Sequence, residues 1–364
     1  MLPSHRAIPM VLLGGVSLNR LEVMAKHAKF PWLSDRNSSV TEEFLRGRGW
    51  ILPGESILDV TKAGEGNMNL TLRVITSSRR FILKQARPWV EKYDHIAAPW
   101  ERMQFECQFY ERVSSIPGVG DRMPRLLAQD LSASIILLED LAPARDMTDM
   151  YHDHAISREN LESLASYLFS LHRATRGTEL DDFINSAMRR LNHEHIFIVP
   201  LAGWEGRDLD KLEPGLSEAS EELRRDTSAL DAIRELGSIY LQAGPVLCHG
   251  DFYPGSWLQT DRGLRVIDAE FSHAGQAEHD VGVALAHLFL AGCRVEDLAH
   301  LVECYRREGG DIRRDLLAEF TSIEIIRRIL GVAQLPIPVS NGFRKRALTQ
   351  AIRCLKSKSW ESLA

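Results

Sequence analysis

Val246-Leu-Cys-His249-Gly-Asp251-Phe-Tyr-Pro-Gly-Ser256-Trp-Leu258 is followed within a few residues by Leu264-Arg-Val-Ile-Asp268-Ala-Glu270-Phe271. Two short apolar runs, 245–248 and 264–267, predict strands. Each delivers acids to its C-terminal end, with a Gly- and Pro-containing loop between them. Phosphoryl transfer requires one carboxylate to orient the attacking hydroxyl and others to hold Mg2+ against nucleotide phosphates. Asp251 fits the base, and Asp268 and Glu270 fit the metal ligands. Acids beside surface turns are common, and His249-Gly-Asp251 alone would fit either description. The second acidic pair tips the reading to a kinase-type site.

Upstream, strands are predicted at 57–62, 71–76 and 81–84. Between the first two lies Gly64-Glu-Gly66-Asn67-Met-Asn69, a loop whose glycines let backbone N–H groups approach an anion. An ordinary hairpin turn accounts for the same residues equally well. Phe81-Ile-Leu-Lys84 ends an apolar strand on a lysine that can reach nucleotide phosphates if an acid steadies it. Glu106, on a predicted helix over 100–113 with Met103, Phe109 and Tyr110 inward, is the candidate; a solvated glutamate beside Glu101 and Glu111 is the alternative. Ile135-Ile-Leu-Leu-Glu139-Asp140-Leu141 runs from strand into two acids. In a bilobed kinase the hinge lies there, with backbone groups of Glu139 and Leu141 facing adenine; a plain strand exit gives the same pattern.

Beyond 141 the pattern turns helical. Ser157 suits an N-cap, an amphipathic stretch spans 217–241, and Asp280 could cap the apolar run that follows it. Thr41 suits the cap of an early short helix. His172 has no partners in the local sequence and is expected to be structural. Ile323-Glu-Ile-Ile-Arg327-Arg328 sets two arginines in an apolar helix. Either one is a buried stem and the other a solvated head, or one faces an anion such as a transferring phosphoryl group.

A length of 364 residues accommodates two or three domains, and 44% hydrophobic with 26% charged residues is ordinary for a globular protein with a real core. A net charge of −6 without a long basic block argues against nucleic acid as partner. The apolar start of the chain is too short to span a membrane. Five cysteines, odd in number and without a CxxC pair, predict reduced thiols in a cytoplasmic protein. His273, His279 and His287 are irregularly spaced and remote from cysteines, so no zinc site is expected.

These residues resemble the aminoglycoside phosphotransferase and choline kinase superfamily, and within it the 5-methylthioribose kinases. The likeness rests on Gly64-Glu-Gly-Asn-Met-Asn-Leu70, Lys84-Gln-Ala-Arg-Pro-Trp-Val90, Glu139-Asp-Leu141, Ile184-Asn-Ser-Ala-Met188, Gly255-Ser256, Asp268-Ala-Glu270-Phe271 and Ile326-Arg327-Arg328, in that order. The resemblance implies an α+β, bilobed protein-kinase-like fold with a β-rich N lobe and a mainly helical C lobe. The chain then divides into an extension of unknown role (1–35), a nucleotide-binding N lobe (36–140) and a catalytic, substrate-binding C lobe (141–364). It implies an ATP- and Mg2+-dependent kinase acting on a sugar hydroxyl, the 1-hydroxyl of 5-methylthioribose, in methionine salvage. Lys84 becomes the phosphate anchor, Asp251 the base, and Asp268 and Glu270 the Mg2+ ligands. Arg327 and Arg328 meet the ribose side and the transferring phosphate. Ser256 stands where most superfamily members carry a metal-binding Asn. Related enzymes are often homodimers.

Three departures bear on the acceptor. Phe252-Tyr253-Pro254 replaces the usual aliphatic, His and hydroxyl residues. Phe197-Ile-Val-Pro200 lacks the acid expected before the proline, and the segment between Phe271 and Glu324 is short. Another small alcohol, such as a 5-deoxypentose, an amino alcohol or an aminoglycoside, is the alternative acceptor. A nucleotide-binding protein without turnover is the rival of another class, disfavoured because lysine, base and metal acids are all present.

Overall fold

Leu70-Thr-Leu-Arg-Val-Ile-Thr76 alternates buried with half-buried side chains, the period of a strand with two unlike faces. It belongs to the N-terminal half of the computed structural model, which describes residues 19–64, 66, 68–202, 208–337 and 342–363. Helices α1 (Arg20–Lys26) and α2 (Ser38–Gly47) precede strands β1 (Ile57–Lys62), β2 (Leu70–Thr76) and β3 (Arg80–Gln85). A two-stranded ribbon, β4 (Trp89–Val90) and β5 (Tyr93–Ala97), leads into α3 (Arg102–Val113), then β6 (Leu126–Asp130) and β7 (Ile135–Glu139). The main sheet has the order β1-β2-β3-β7-β6, and every neighbouring pair is antiparallel.

Alternation decides which way Lys84 points. Phe81 and Leu83 face a core shared with Leu33, Leu45, Leu72, Val74 and Leu137. Ile82 packs on the opposite side against the main core, with Ile136, Leu138 and the inner residues of α3. Lys84 follows Ile82 by two and so shares its face, toward α3. Residues 31–33 are stitched to β3: Gln85 donates to Pro31 O at 2.8 Å and accepts from Leu33 N at 3.1 Å. The end of the expected extension is therefore part of the sheet's packing. Thr41 caps nothing; α2 begins at Ser38, and the Thr41 hydroxyl donates to Ser34 O at 3.4 Å.

The C-terminal half starts with β8 (Ala144–Asp146), α4 (Met150–Asp153), α5 (Arg158–Thr175), α6 (Ser186–His193) and α7 (Val199–Ala202). Ser157 caps α5, accepting from Asn160 N. The stretch over 217–241 is broken at Asp226 into α8 (Leu216–Arg225) and α9 (Thr227–Leu241), the second capped by the Asp226 carboxylate. Strands β9 (Val246–Cys248), β10 (Trp257–Thr260), β11 (Gly263–Val266) and β12 (His273–Gly275) form small antiparallel sheets, β9 with β12 and β10 with β8 and β11. Then come α10 (Ala277–Leu290), α11 (Val295–Arg307), α12 (Arg314–Leu330) and α13 (Phe343–Ser357).

Helix α10 is buried almost all round and packs on α12, itself buried from Leu316 to Ile326. An apolar helix enclosed by neighbours carries polar residues only where they find partners. On α10 these include Asp280 and His287, and on α12 Glu324 and Arg328. No helix among the described residues is long and apolar enough to cross a membrane. All five cysteines are free thiols.

Candidate active site

Lys84 sits with its ammonium 2.7 Å from Glu106 Oε1 and in direct contact with Asp268 Oδ1. Burial alone would pull this lysine's pKa down, but Asp268 and Glu106 overcome it and hold the amine well above its usual range, so it stays charged. Glu106 is enclosed, whereas the Asp268 side chain is 38% exposed. Of the two acids on Lys84, Asp268 is therefore the one that faces the cleft. Its backbone has φ +73°, a turn that aims the carboxylate back at β3.

Glu270 lies deeper. It accepts from Asn69 Nδ2 at 2.8 Å, and Arg102 Nε is 3.6 Å away. Arg102 also donates to Asn69 Oδ1 and to the carbonyls of Met68, Arg87 and Pro99. Arg102 and Glu106, four apart on α3, thus tie the helix to both cleft acids. Burial and the neighbouring Asp268 push the Glu270 carboxyl well above the ordinary carboxylate range. Two crowded carboxylates, one of them short of counter-charge, are the oxygen donor set a Mg2+ ion takes. Asp268 and Glu270 fit it.

The loop after β9 is fixed by backbone. Gly250 has φ +88°, and a Cβ there would overlap Phe271 O. The N–H groups of His249 and Gly250 both donate to Asp280, at 2.7 and 3.0 Å. Asp280 therefore does not cap α10 but lies within it and clamps the loop. It is steadied by His172 Nε2 at 3.2 Å, whose Nδ1 meets Tyr305 Oη at 2.9 Å. His172 is structural, as expected, though its partners come from far away in sequence. Burial would raise the Asp280 pKa, but the His172 hydrogen bond and the surrounding imidazoles take it well below the ordinary range.

Asp251 leaves this loop with its side chain 22% exposed. Arg328 Nη2 is 3.4 Å from Asp251 Oδ1, and Glu324 Oε1 accepts from Arg328 Nε at 2.5 Å. Arg327 Nη1 donates to Glu324 Oε2 at 3.0 Å, and His287 Nε2 lies 3.2 Å from Oε1. Neither arginine is a solvated head; one buried glutamate holds both. Burial raises the Asp251 pKa above the ordinary value, partly offset by Arg328 and Arg327. Burial would raise Glu324 too, but the two guanidiniums hold it well below its usual range. Tyr253 lies under the Arg328 guanidinium at 5.2 Å, a cation–π contact. Phe252 is buried and stacks on Tyr167. The Ser256 hydroxyl donates to Asp251 O at 3.1 Å, bracing the loop.

At the lobe junction Glu139 bonds Arg125 and Arg262 through its carboxylate, and its N–H donates to Arg125 O. Leu141 is buried, and among the described residues its backbone makes no hydrogen bond. A nucleobase edge could take up those groups. Gly64 and Gly66 lie in the turn between β1 and β2, Gly64 at φ +93°. Asn67 lies outside the described residues. Sequence reasoning did not assign Asn69, Arg102, Asp280, His287 or Glu324 to the site. For Asp280, His287 and Glu324 the signal is a charged or polar residue inside an apolar helix; Asn69 and Arg102 carry none.

The remoteness expected between the histidines and the cysteines does not hold for two of them: His273 and His279 each bring a ring nitrogen within 4.8 Å of Cys248 Sγ, because β12 pairs with β9 and α10 begins directly after it.

A sheet-borne lysine facing acids on the loops after β9 and β11, in a sheet lobe over a helical lobe, defines a kinase-like small-molecule phosphotransferase. The phosphotransferase enzyme family matches residues 59–316, and the chain belongs to it. Methylthioribose kinase of Cronobacter sakazakii is 26% identical over 291 residues, 76% of this chain and 69% of that protein. The enzyme of Erwinia tasmaniensis is 26% identical over 282 residues, 70% of this chain and 66% of its own length. The chain thus spans about two thirds of these relatives. Among solved structures, choline kinase from Streptococcus pneumoniae matches 88% of this chain and 100% of its own with TM-score 0.53 at 15% identity, a likeness of fold.

Proposed function

We propose that the protein transfers the γ-phosphoryl group of ATP, with Mg2+, to the 1-hydroxyl of 5-methylthioribose. The observation that carries this reading is the pairing of Asp251 with Arg328, which Glu324 braces beside Arg327, across from the Lys84–Asp268 pair. Lys84, steadied by Glu106, meets the nucleotide phosphates. Glu139 and Leu141 offer backbone to adenine, and the Gly64–Gly66 turn closes over the phosphates. Asp268 and Glu270 would hold Mg2+, which would supply charge neutralisation at the phosphates. Asp251 orients the acceptor hydroxyl and receives its proton as the new O–P bond forms and ADP departs. Its raised pKa makes it a better base than a solvated aspartate. Arg328 then lies beside both the base and the incoming phosphoryl group, and Arg327 beside the sugar. We take the lobe boundary at 140–141.

A neutral or anionic acceptor suits this end of the cleft better than a cationic one. Glu324 is saturated by two arginines and a histidine, and Asp251 already faces Arg328, so neither is left to bind an ammonium. A 5-deoxypentose, equally free of cationic groups, is the second reading. Coupled ATP consumption over methylthioribose, 5-deoxyribose, choline, homoserine and an aminoglycoside tests this. Methylthioribose should give the highest kcat/KM; preference for choline or the aminoglycoside would overturn the acceptor assignment.

A further inference from the structure

Behind the catalytic loop, three side chains that the phosphoryl-transfer chemistry does not use converge. Cys248 ends β9, His273 opens β12 directly opposite it, and His279 lies in the first turn of α10. The thiol sulfur and one nitrogen from each imidazole lie within 4.8 Å of one another, all three residues buried. Two independent observations point to a ligand. First, Gly275 is not left-handed, so its backbone does not need a glycine, yet a Cβ there would lie 2.7 Å from His273 Nε2 and 2.9 Å from Cys248 Sγ. A bare Cα is what leaves room for these two atoms to face one point. Second, His279 is 3% exposed and its Nδ1 has no hydrogen-bond partner. A buried imidazole nitrogen without a partner is costly unless something occupies it.

We propose that Cys248, His273 and His279 form a binding site for a thiophilic divalent cation of the Zn2+ class. One thiolate and two neutral imidazoles are a donor set such ions select over Mg2+. The thiol proton is released to solvent on binding. Gln276 O, which accepts from Sγ at 3.2 Å, loses that donor and flanks the remaining position. His273 Nδ1 faces Phe271 O at 3.0 Å, an outer oxygen that steadies a metal-bound imidazole through its second nitrogen. Other clusters lack this character. His172 and Asp280 near the same thiol are already satisfied by each other, Tyr305 and the loop N–H groups. The Glu162–His300–Cys304 group has Arg307 donating to its sulfur, which opposes a cation.

The test is a Co2+ titration of the metal-stripped full-length protein in excess Mg2+, which fills oxygen-donor sites. The expected result is a near-ultraviolet thiolate-to-cobalt band saturating at one equivalent per chain and displaced by Zn2+. The band should vanish in Cys248→Ser, bind at least about tenfold more weakly in His279→Gln, and persist in Cys293→Ser. No thiolate band in the wild-type protein would overturn the site. So would a band unchanged in His279→Gln, or one lost in Cys293→Ser. Should Cys248→Ser not fold, the wild-type and His279→Gln titrations still decide.

Discussion

Single charges at the site act through partners that arrive from distant segments, and substitution reads each one out. Lys84→Met removes the ammonium between Glu106 and Asp268 and should lower kcat/KM for ATP about 10²–10³-fold, the range for deleting one electrostatic donor. Steady-state kinetics check it. Glu324→Gln leaves Arg327 and Arg328 without their shared counter-charge. The acceptor KM should rise while the ATP KM holds, and stability should fall by about 3–5 kcal/mol, as for a broken buried pair. Asp251 works ionised, and its pKa is raised, so the acid limb of kcat/KM should lie above the ordinary aspartate value of about 3.9. Arg328→Ala removes a lowering influence and should move that limb to higher pH, measurable in a pH–rate profile. Lys84, Asp251 and Asp268 were legible because a short motif or strand end announces them, and Glu106 and the arginine pair because they stand in helices with apolar neighbours. Glu324 was equally visible, as a lone acid four residues before Arg328 in an apolar helix. Asn69 and Arg102 were not, since a buried guanidinium meeting four carbonyls cannot be inferred before the chain folds.

Among the elements, the strands were readable from alternation and length, and β1, β2, β3, β7, β9 and β11 fall where apolar runs predicted them. Helix caps were less so. Ser157 caps α5, whereas Thr41 and Asp280 lie inside their helices. An acid at the head of an apolar helix reads as a cap until tertiary structure offers it better donors, here two loop N–H groups. The loop depends on that clamp and on Gly250. Gly250→Ala adds about 1–3 kcal/mol of backbone strain at φ +88°, and the overlap with Phe271 O adds more. Thermal unfolding should show a lowered Tm, with residual activity reduced well beyond the stability loss because Asp251 is displaced.

For the molecule as a whole, pH couples to the buried carboxylates with opposite signs. Asp280 and Glu324 have depressed pKa values, so their stabilisation is present above about pH 4 and lost as pH falls through the folded-state values. Asp251 and Glu270 are raised, and the cost of burying their charge is relieved as they protonate. The Tm difference between wild type and Asp280→Ala should therefore be largest near neutrality and shrink in acid; a pH-independent difference would contradict the clamp's charge. The cleft between lobes joins residues as far apart as Asn69 and Glu270, so Mg·ATP should stabilise both halves together. At one hundred times its Kd the expected gain is about 2.7 kcal/mol, read as a single shifted transition. The two-lobe plan was legible from the order of strand-rich and helix-rich stretches. The acceptor side was not, because Phe252-Tyr253-Pro254 and Phe197-Ile-Val-Pro200 depart from the pattern that would have defined it.

The most direct measurement is kcat of Asp251→Asn at saturating Mg·ATP and the best acceptor, with nucleotide affinity followed by calorimetry. The expected result is nucleotide binding close to wild type and turnover reduced by about 10²–10⁴-fold, the contribution of a positioned base. Turnover close to wild type would contradict the central claim that Asp251 orients the acceptor hydroxyl.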